Sequence, residues 1–154
     1  MIAGSLGNKE LLKLHKTAFL CSRKIPATVV LKCYDWAIEQ RNLGHCVISG
    51  FHSTLEQDVL HYLLAGKQPV IMVLARGMKY TFEPELNAAV DSGRLLIITP
   101  FERTVRRMTT ATAEQRNRFM LELAGEVVIG YADPGGILDR LLEHVSKPIT
   151  RLKN

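Results

Sequence analysis

The sequence predicts an α/β protein: a single doubly wound domain, residues 1–154, around a mainly parallel sheet of five or six strands with helices on both faces. Three observations carry this expectation. Five short apolar runs, at 17–22, 45–50, 69–75, 94–101 and 126–132, are each bounded by polar residues, Gly or Pro. Such runs fit strands buried on both faces, as in parallel sheets. Segments with helical spacing separate them, and most of these stop at a glycine, the preferred residue just past a helix end. With 154 residues, 47% hydrophobic and 23% charged, the chain has enough apolar mass for one real core.

The elements follow in order. Residues 1–15 are expected as a short helix on the sheet edge, 16–146 as the core, and 147–154 as a short strand or tail in which Lys153 has no role. After the first strand (17–22), the segment 27–44 places Val30, Cys33, Tyr34, Ala37 and Ile38 on one face and stops at Gly44. Tyr34 and Trp36, among apolar neighbours, read as core packing. After the second strand, 53–67 repeats Leu55, Val59, Leu60 and Leu63 and stops at Gly66. The third strand precedes a helix at 83–93, the fourth precedes one at 112–125, and the fifth precedes one at 135–147. A weakly signalled last strand falls near 148–152. Cys21, Ile48, Val73, Ile97 and Ile129 should be buried, one in each of the five runs.

Composition narrows the chemistry. A net charge of +5 suits nucleic acid or phosphorylated ligands without establishing either. The odd three cysteines, Cys21, Cys33 and Cys46, lack a Cys-x-x-Cys pair, so neither a disulfide framework nor a zinc site is indicated. Free thiols at apolar positions fit a reducing cytoplasm, and no secretory signal or membrane-length run is present. Histidines 15, 45, 52, 61 and 144 show no i, i+4 pair, so no metal is expected, and no cofactor either. Ser49, His52 and Asp133 lack the Gly-x-Ser-x-Gly elbow of a hydrolase. The phosphate-binding glycine motifs Gly-x-Gly-x-x-Gly and Walker A are absent. Aromatic residues make up 6% of the chain, little sign of a base-stacking platform.

In a doubly wound sheet, ligands sit outside the carboxyl ends of the strands, and the loops there supply the candidate ligand- and phosphate-binding residues. They are Ser22 and Arg23 after the first strand, and Ser49, Gly50, Phe51, His52 and Ser53 after the second. Arg76 and Gly77 follow the third, and Gly135 and Gly136 the fifth. The glycines allow close approach of backbone to a ligand. Ser53 with Glu56 has the spacing of a capping box, with helix amides near 53–55 expected to meet an anion. Arg23 is placed to grip a phosphate bidentately. Arg103, Arg106, Arg107, Arg116 and Arg118 are expected to overhang the same edge, where they would make binding salt-dependent. Arg118 has Glu122 four residues on as a surface partner.

The ordered set Ser22-Arg23, Ser49-Gly50-Phe51, Leu74-Ala75-Arg76-Gly77 and Arg116-Asn117-Arg118 resembles the Rossmann-like core of the DNA-processing protein A (Smf/DprA) family, over about residues 6–145. The resemblance implies a bacterial protein that binds single-stranded DNA during DNA uptake and recombination, pairs as a homodimer and meets a recombinase partner. It also marks Arg116 and Asn117 as site residues. Two stretches depart from the family: Thr54-Leu55-Glu56 replaces its Gly-Ile-Asp, and Asp133-Pro134-Gly135-Gly136 replaces its Ser-Gly turn. The wider superfamily includes the "Lonely guy" nucleotide phosphoribohydrolases. The spacing of Arg116 and Met120, with Pro134-Gly135-Gly136 and Glu143, is similar to part of their signature, but Ile137-Leu138-Asp139 stands where Gly-Thr should follow. The expected function is therefore binding of single-stranded DNA or a nucleotide-derived ligand through its phosphates, without catalysis. A nucleoside monophosphate phosphoribohydrolase and a partner-binding α/β domain are the alternatives.

Overall fold

The computed structural model describes residues 1–152; Lys153 and the end of the expected tail lie outside them. Seven strands form one sheet in the order β1-β5-β4-β3-β2-β6-β7. The five apolar runs are β2 (Lys16–Leu20), β3 (Cys46–Ser49), β4 (Val70–Val73), β5 (Leu95–Thr99) and β6 (Glu126–Ile129), parallel wherever they pair. The short β7 (Ile149–Arg151) adds in parallel to β6. Cys21, Ile48, Val73, Ile97 and Ile129 are all buried.

The amino-terminal segment differs from expectation. Instead of a helix, Gly4–Leu6 forms β1, antiparallel to β5, and a 3₁₀ turn follows at Lys9–Lys13. The reason is non-local: Ser5 pairs with Ile98, and the backbone groups along the open edge of β5 need partners.

Alternation along the strands divides the interior in two. Ala18, Ile48, Ile71, Leu96 and Val127 stand in register across the sheet and point to one face. There they join Met120 and Leu121 of α4 (Thr110–Leu123) and Leu142 of α5 (Ile137–Leu142). Phe19, Val47, Val70 and Leu95 point to the other face, against α1 (Ala27–Leu43), α2 (Thr54–Leu64) and α3 (Pro84–Asp91). Trp36 of α1 stacks on Phe19 with ring centroids 4.9 Å apart, the core role expected of it. Helix α5 ends at Leu142, short of the expected 147. Lys147 instead folds back, and its ammonium donates to the carbonyls of Leu121, Glu122 and Ala124 at the end of α4, where a cation suits the helix dipole.

The chain leaves β2 and builds β3, β4 and β5 outward on one side. It then crosses back to lay β6 on the other side of β2. Strand order therefore reverses between β2 and β6, and their loops diverge at the carboxyl edge to leave a crevice.

Candidate functional site

Glu56 ties this edge together. Its side chain is buried at 7% exposure, yet it lies in the first turn of α2. Oε1 accepts from the amides of His52 and Ser53, at 2.9 and 3.0 Å. Oε2 reaches across to the amide of Cys21 beyond β2, at 3.1 Å. The Ser53 hydroxyl accepts in return from the Glu56 amide. The capping box read from sequence is thus present, with a consequence for function. The anion at this helix start is the protein's own carboxylate, so the His52 and Ser53 amides are not open to a ligand.

Arg116 is the second fixed charge. It projects from α4 and is buried at 6% exposure. Nε donates to Asn117 Oδ1 at 2.8 Å, and Nη1 donates to the carbonyl of Val73 at the end of β4, 3.1 Å away. Gly50 explains the fit: a Cβ there would collide with the guanidinium. The close approach this glycine permits is to an arginine of the same chain. Nη2 forms no hydrogen bond among the described residues, and it is not sealed off as Gln68 Oε1 is. Arg116 itself lines the clefts on either side of it. Burial pushes the Arg116 pKa down and the Glu56 carboxylate pushes it back up, so the carboxylate helps keep the buried guanidinium charged.

Two clefts meet at Arg116. One, of about 730 Å³, lies at the β2/β6 crevice and is lined by Ser22, Arg23, Lys24, His52, Ser53, Glu56, Thr109, Asn117, Asp133 and Gly136, among others. The other, of about 750 Å³, lies over the ends of β3 and β4. Leu60, Leu64, Met72, Leu74 and Leu86 give it an apolar floor; Gly50, Phe51, Arg76, Lys79 and Phe82 line it, with Asp58, Glu83 and Glu85 as further lining carboxylates. His52, Met108 and Arg116 belong to both. Arg23 and Lys24 are exposed and make no hydrogen bond or ion pair among the described residues, so their charges are available. The start of α4 adds a helix N-terminus to the first cleft through Thr109, Thr110 and Ala113.

Other sequence candidates take different parts. Ser22 joins the two sides of the crevice, its hydroxyl accepting from the Asp133 amide at 2.9 Å. Ser49 is fully buried and accepts from the Phe51 amide, which leaves it no role as a nucleophile. Phe51 turns its ring into the core at 4% exposure and holds a φ of 48°, a costly conformation for a bulky residue. Gly77 is small to let the Glu102–Arg103 backbone pass, and its amide donates to Val105. Gly135 sits in the left-handed region with its amide held by Asp139, so it too offers nothing to an anion. Arg76 donates to the carbonyl of Gly77 and lines the second cleft. Arg103 packs over the Tyr80 ring, 4.4 Å from its centroid, and donates to Met78. Arg106 and Arg107 are exposed and line neither cleft. Arg118 forms no ion pair with Glu122 among the described residues.

The phosphoribohydrolase-like spacing does not come together here. Met120 is fully buried in the core, and Glu143 is exposed at the end of α5, outside both clefts. Sequence reading did not place Lys24, Met108, Lys79, Phe82 or the carboxylates of the second cleft in the site. Thr109 and Thr112, which cap α4 reciprocally, were the available signal for the helix start facing the first cleft.

His52 reports the field in the crevice. Burial, the Arg116 guanidinium and, more weakly, Arg23 lower its pKa below the usual histidine value, with Glu56 opposing them. The histidine is held neutral beside two arginines, where an added anion would favour its protonation. Among the described residues no group of His, Cys, Asp or Glu is arranged to hold a metal ion, and no helix is long and apolar enough to cross a membrane.

No family model matches the sequence, and neither does any curated protein. Solved structures do match. DNA processing protein A from Helicobacter pylori, described with a single-stranded DNA binding mode, superposes with a TM-score of 0.76 at 19% identity, over 97% of this chain and 71% of that one. DNA processing protein A from Streptococcus pneumoniae gives 0.75 at 17%, over 96% of this chain and 53% of that one, so the present chain spans about half its length. The molybdenum cofactor carrier protein of Chlamydomonas reinhardtii gives 0.59 at 15%, over 90% and 75%. The chain has the Rossmann-like fold of the DNA processing protein A core.

Proposed function

We propose that this domain binds a phosphate-bearing ligand, single-stranded DNA or a nucleotide, at the carboxyl edge of its sheet. One observation carries the reading: the buried Arg116 lines both clefts and its Nη2 has no hydrogen-bond partner among the described residues, with the free cations of Arg23 and Lys24 in one of them. A buried guanidinium already anchored on Val73 and Asn117 loses little freedom when it takes an anion. The single-stranded DNA binding described for the Helicobacter protein supports nucleic acid as the ligand class.

The test is binding of fluorescent oligo(dT) and of thymidine 5′-monophosphate, measured by anisotropy and calorimetry at low and high salt. Arg23→Ala and Arg116→Ala should each weaken binding roughly ten- to a hundred-fold, the value of one charge-assisted contact of about 1.5–3 kcal/mol. Added salt should weaken it further. Lys13→Ala, whose ammonium pairs with Glu10 before the amino end of β2, should change little. The reading fails if neither ligand binds at low salt, or if both arginine variants bind as the wild type does.

A further inference from the structure

We infer that the two clefts hold one ligand between them: a phosphodiester flanked by an organic group on each side, with the bridging phosphate at Arg116. The shortest such ligand is a dinucleotide. The inference rests on the anion-binding reading above and narrows it, because a free phosphate or a lone mononucleotide would satisfy only half of the site.

The geometry has three parts. Arg116, His52 and Met108 are common to both clefts, so a group held by Arg116 Nη2 lies at their junction and not at the far end of either. Each cleft, at about 750 and 730 Å³, is far larger than a phosphate and falls in the range that holds organic ligands. Both also offer apolar surface. The cleft over β3 and β4 has the floor of Leu60, Leu64, Met72 and Leu74; the β2/β6 crevice has a wall from Leu20, Ala113, Ile137 and Leu138. Ile137 is more than half exposed. A terminal phosphate placed at Arg116 would let its nucleoside cover one of these surfaces and leave the other bare.

Charge agrees with this placement. A phosphodiester carries one negative charge, and the junction supplies one buried guanidinium. Arg23 and Lys24 line the β2/β6 crevice and are placed to meet the next phosphate along a chain. Two organic groups joined through the bridging phosphate bind as a linked pair, so occupation of the first cleft raises the effective concentration of the second group at its own.

The decisive measurement is a calorimetric or NMR affinity series on the wild-type chain: d(TpT), thymidine 5′-monophosphate, thymidine 5′-diphosphate and oligo(dT). The d(TpT) dinucleotide should bind at least roughly ten-fold tighter than either mononucleotide, although it carries less charge than both. Leu64→Trp in the cleft over β3 and β4 and Ala113→Trp in the β2/β6 crevice, both at half-buried positions, should each reduce d(TpT) to the affinity of the monophosphate. The ligand series needs no variant, so a substitution that fails to fold leaves the test standing. Equal binding of d(TpT) and the monophosphate, tighter binding of the diphosphate, or a folded tryptophan variant that leaves d(TpT) unaffected would each overturn the straddling ligand while anion binding at Arg116 stands. If oligo(dT) and all three small ligands fail to bind at low salt, the inference and the function proposed for the site fall together.

Discussion

Replacing Glu56 with glutamine tests the arrangement on which the whole edge depends. The substitution keeps size and shape and changes only charge and one set of hydrogens. With the amide oxygen in the place of Oε1, the bonds from His52 and Ser53 survive. The amide nitrogen then stands where Oε2 accepted from Cys21, so two donors face each other and the Cys21 N–H is left unsatisfied in a buried place. That loss costs about 1–3 kcal/mol. The carboxylate charge that faces the buried Arg116 also disappears, and an uncompensated buried cation adds a comparable amount. The sum expected is about 2–6 kcal/mol, a large share of the stability of an ordinary domain. Urea unfolding followed by the fluorescence of Trp36, which is stacked on Phe19, measures it directly. Ser53→Ala is the internal comparison: it removes the cap hydroxyl but leaves all three bonds to the carboxylate, and should cost only about 1 kcal/mol. A loss below about 1 kcal/mol for Glu56→Gln, or a smaller loss than for Ser53→Ala, would show that the carboxylate does not hold the strand and the helix together.

Three further outcomes are expected. Gly50→Ala should destabilise the domain by about 1–3 kcal/mol through overpacking against the Arg116 guanidinium, and should weaken ligand binding with it; Gly44→Ala, at a left-handed helix end with open space around it, should cost stability without touching binding. The Tyr34 hydroxyl donates to Asp58 at 2.7 Å, and its pKa is raised from 10.0 to about 12, chiefly by that bond. A raised folded-state pKa means stability present below pH 10.0 and lost as pH climbs through about 12, so the unfolding free energy should fall across that window and fall less in Tyr34→Phe. His52, held neutral below its usual pKa, should titrate at higher pH once a phosphate ligand fills the crevice, with protons taken up on binding at mildly acidic pH; an unchanged NMR titration of its ring with ligand present would place the anion elsewhere.

The parallel core is legible along the chain. Strands buried on both faces are apolar along most of their length, so β2 to β6 stand out as short apolar runs, and the helix stop at Gly44 needs no tertiary knowledge. The sequence also placed the loops at the carboxyl edge and identified Ser53 and Glu56 as a local cap. Tertiary structure decided what those residues do. The three-residue strand β1 exists because β5 has an open edge to satisfy, and nothing within residues 1–15 encodes that. Gly50, Gly77 and Gly135 were legible as small, but not what they make room for, because the Arg116 side chain and the Glu102–Arg103 backbone arrive from elements far along the chain. A buried anion at a helix start looks the same in sequence whether it serves a ligand or, as Glu56 does, the amide of a neighbouring strand 35 residues away. Hydrophobic periodicity is a local property and can be read along the chain; the pairing of a buried charge depends on which distant backbone groups lack a partner, and only the folded sheet brings those groups within reach.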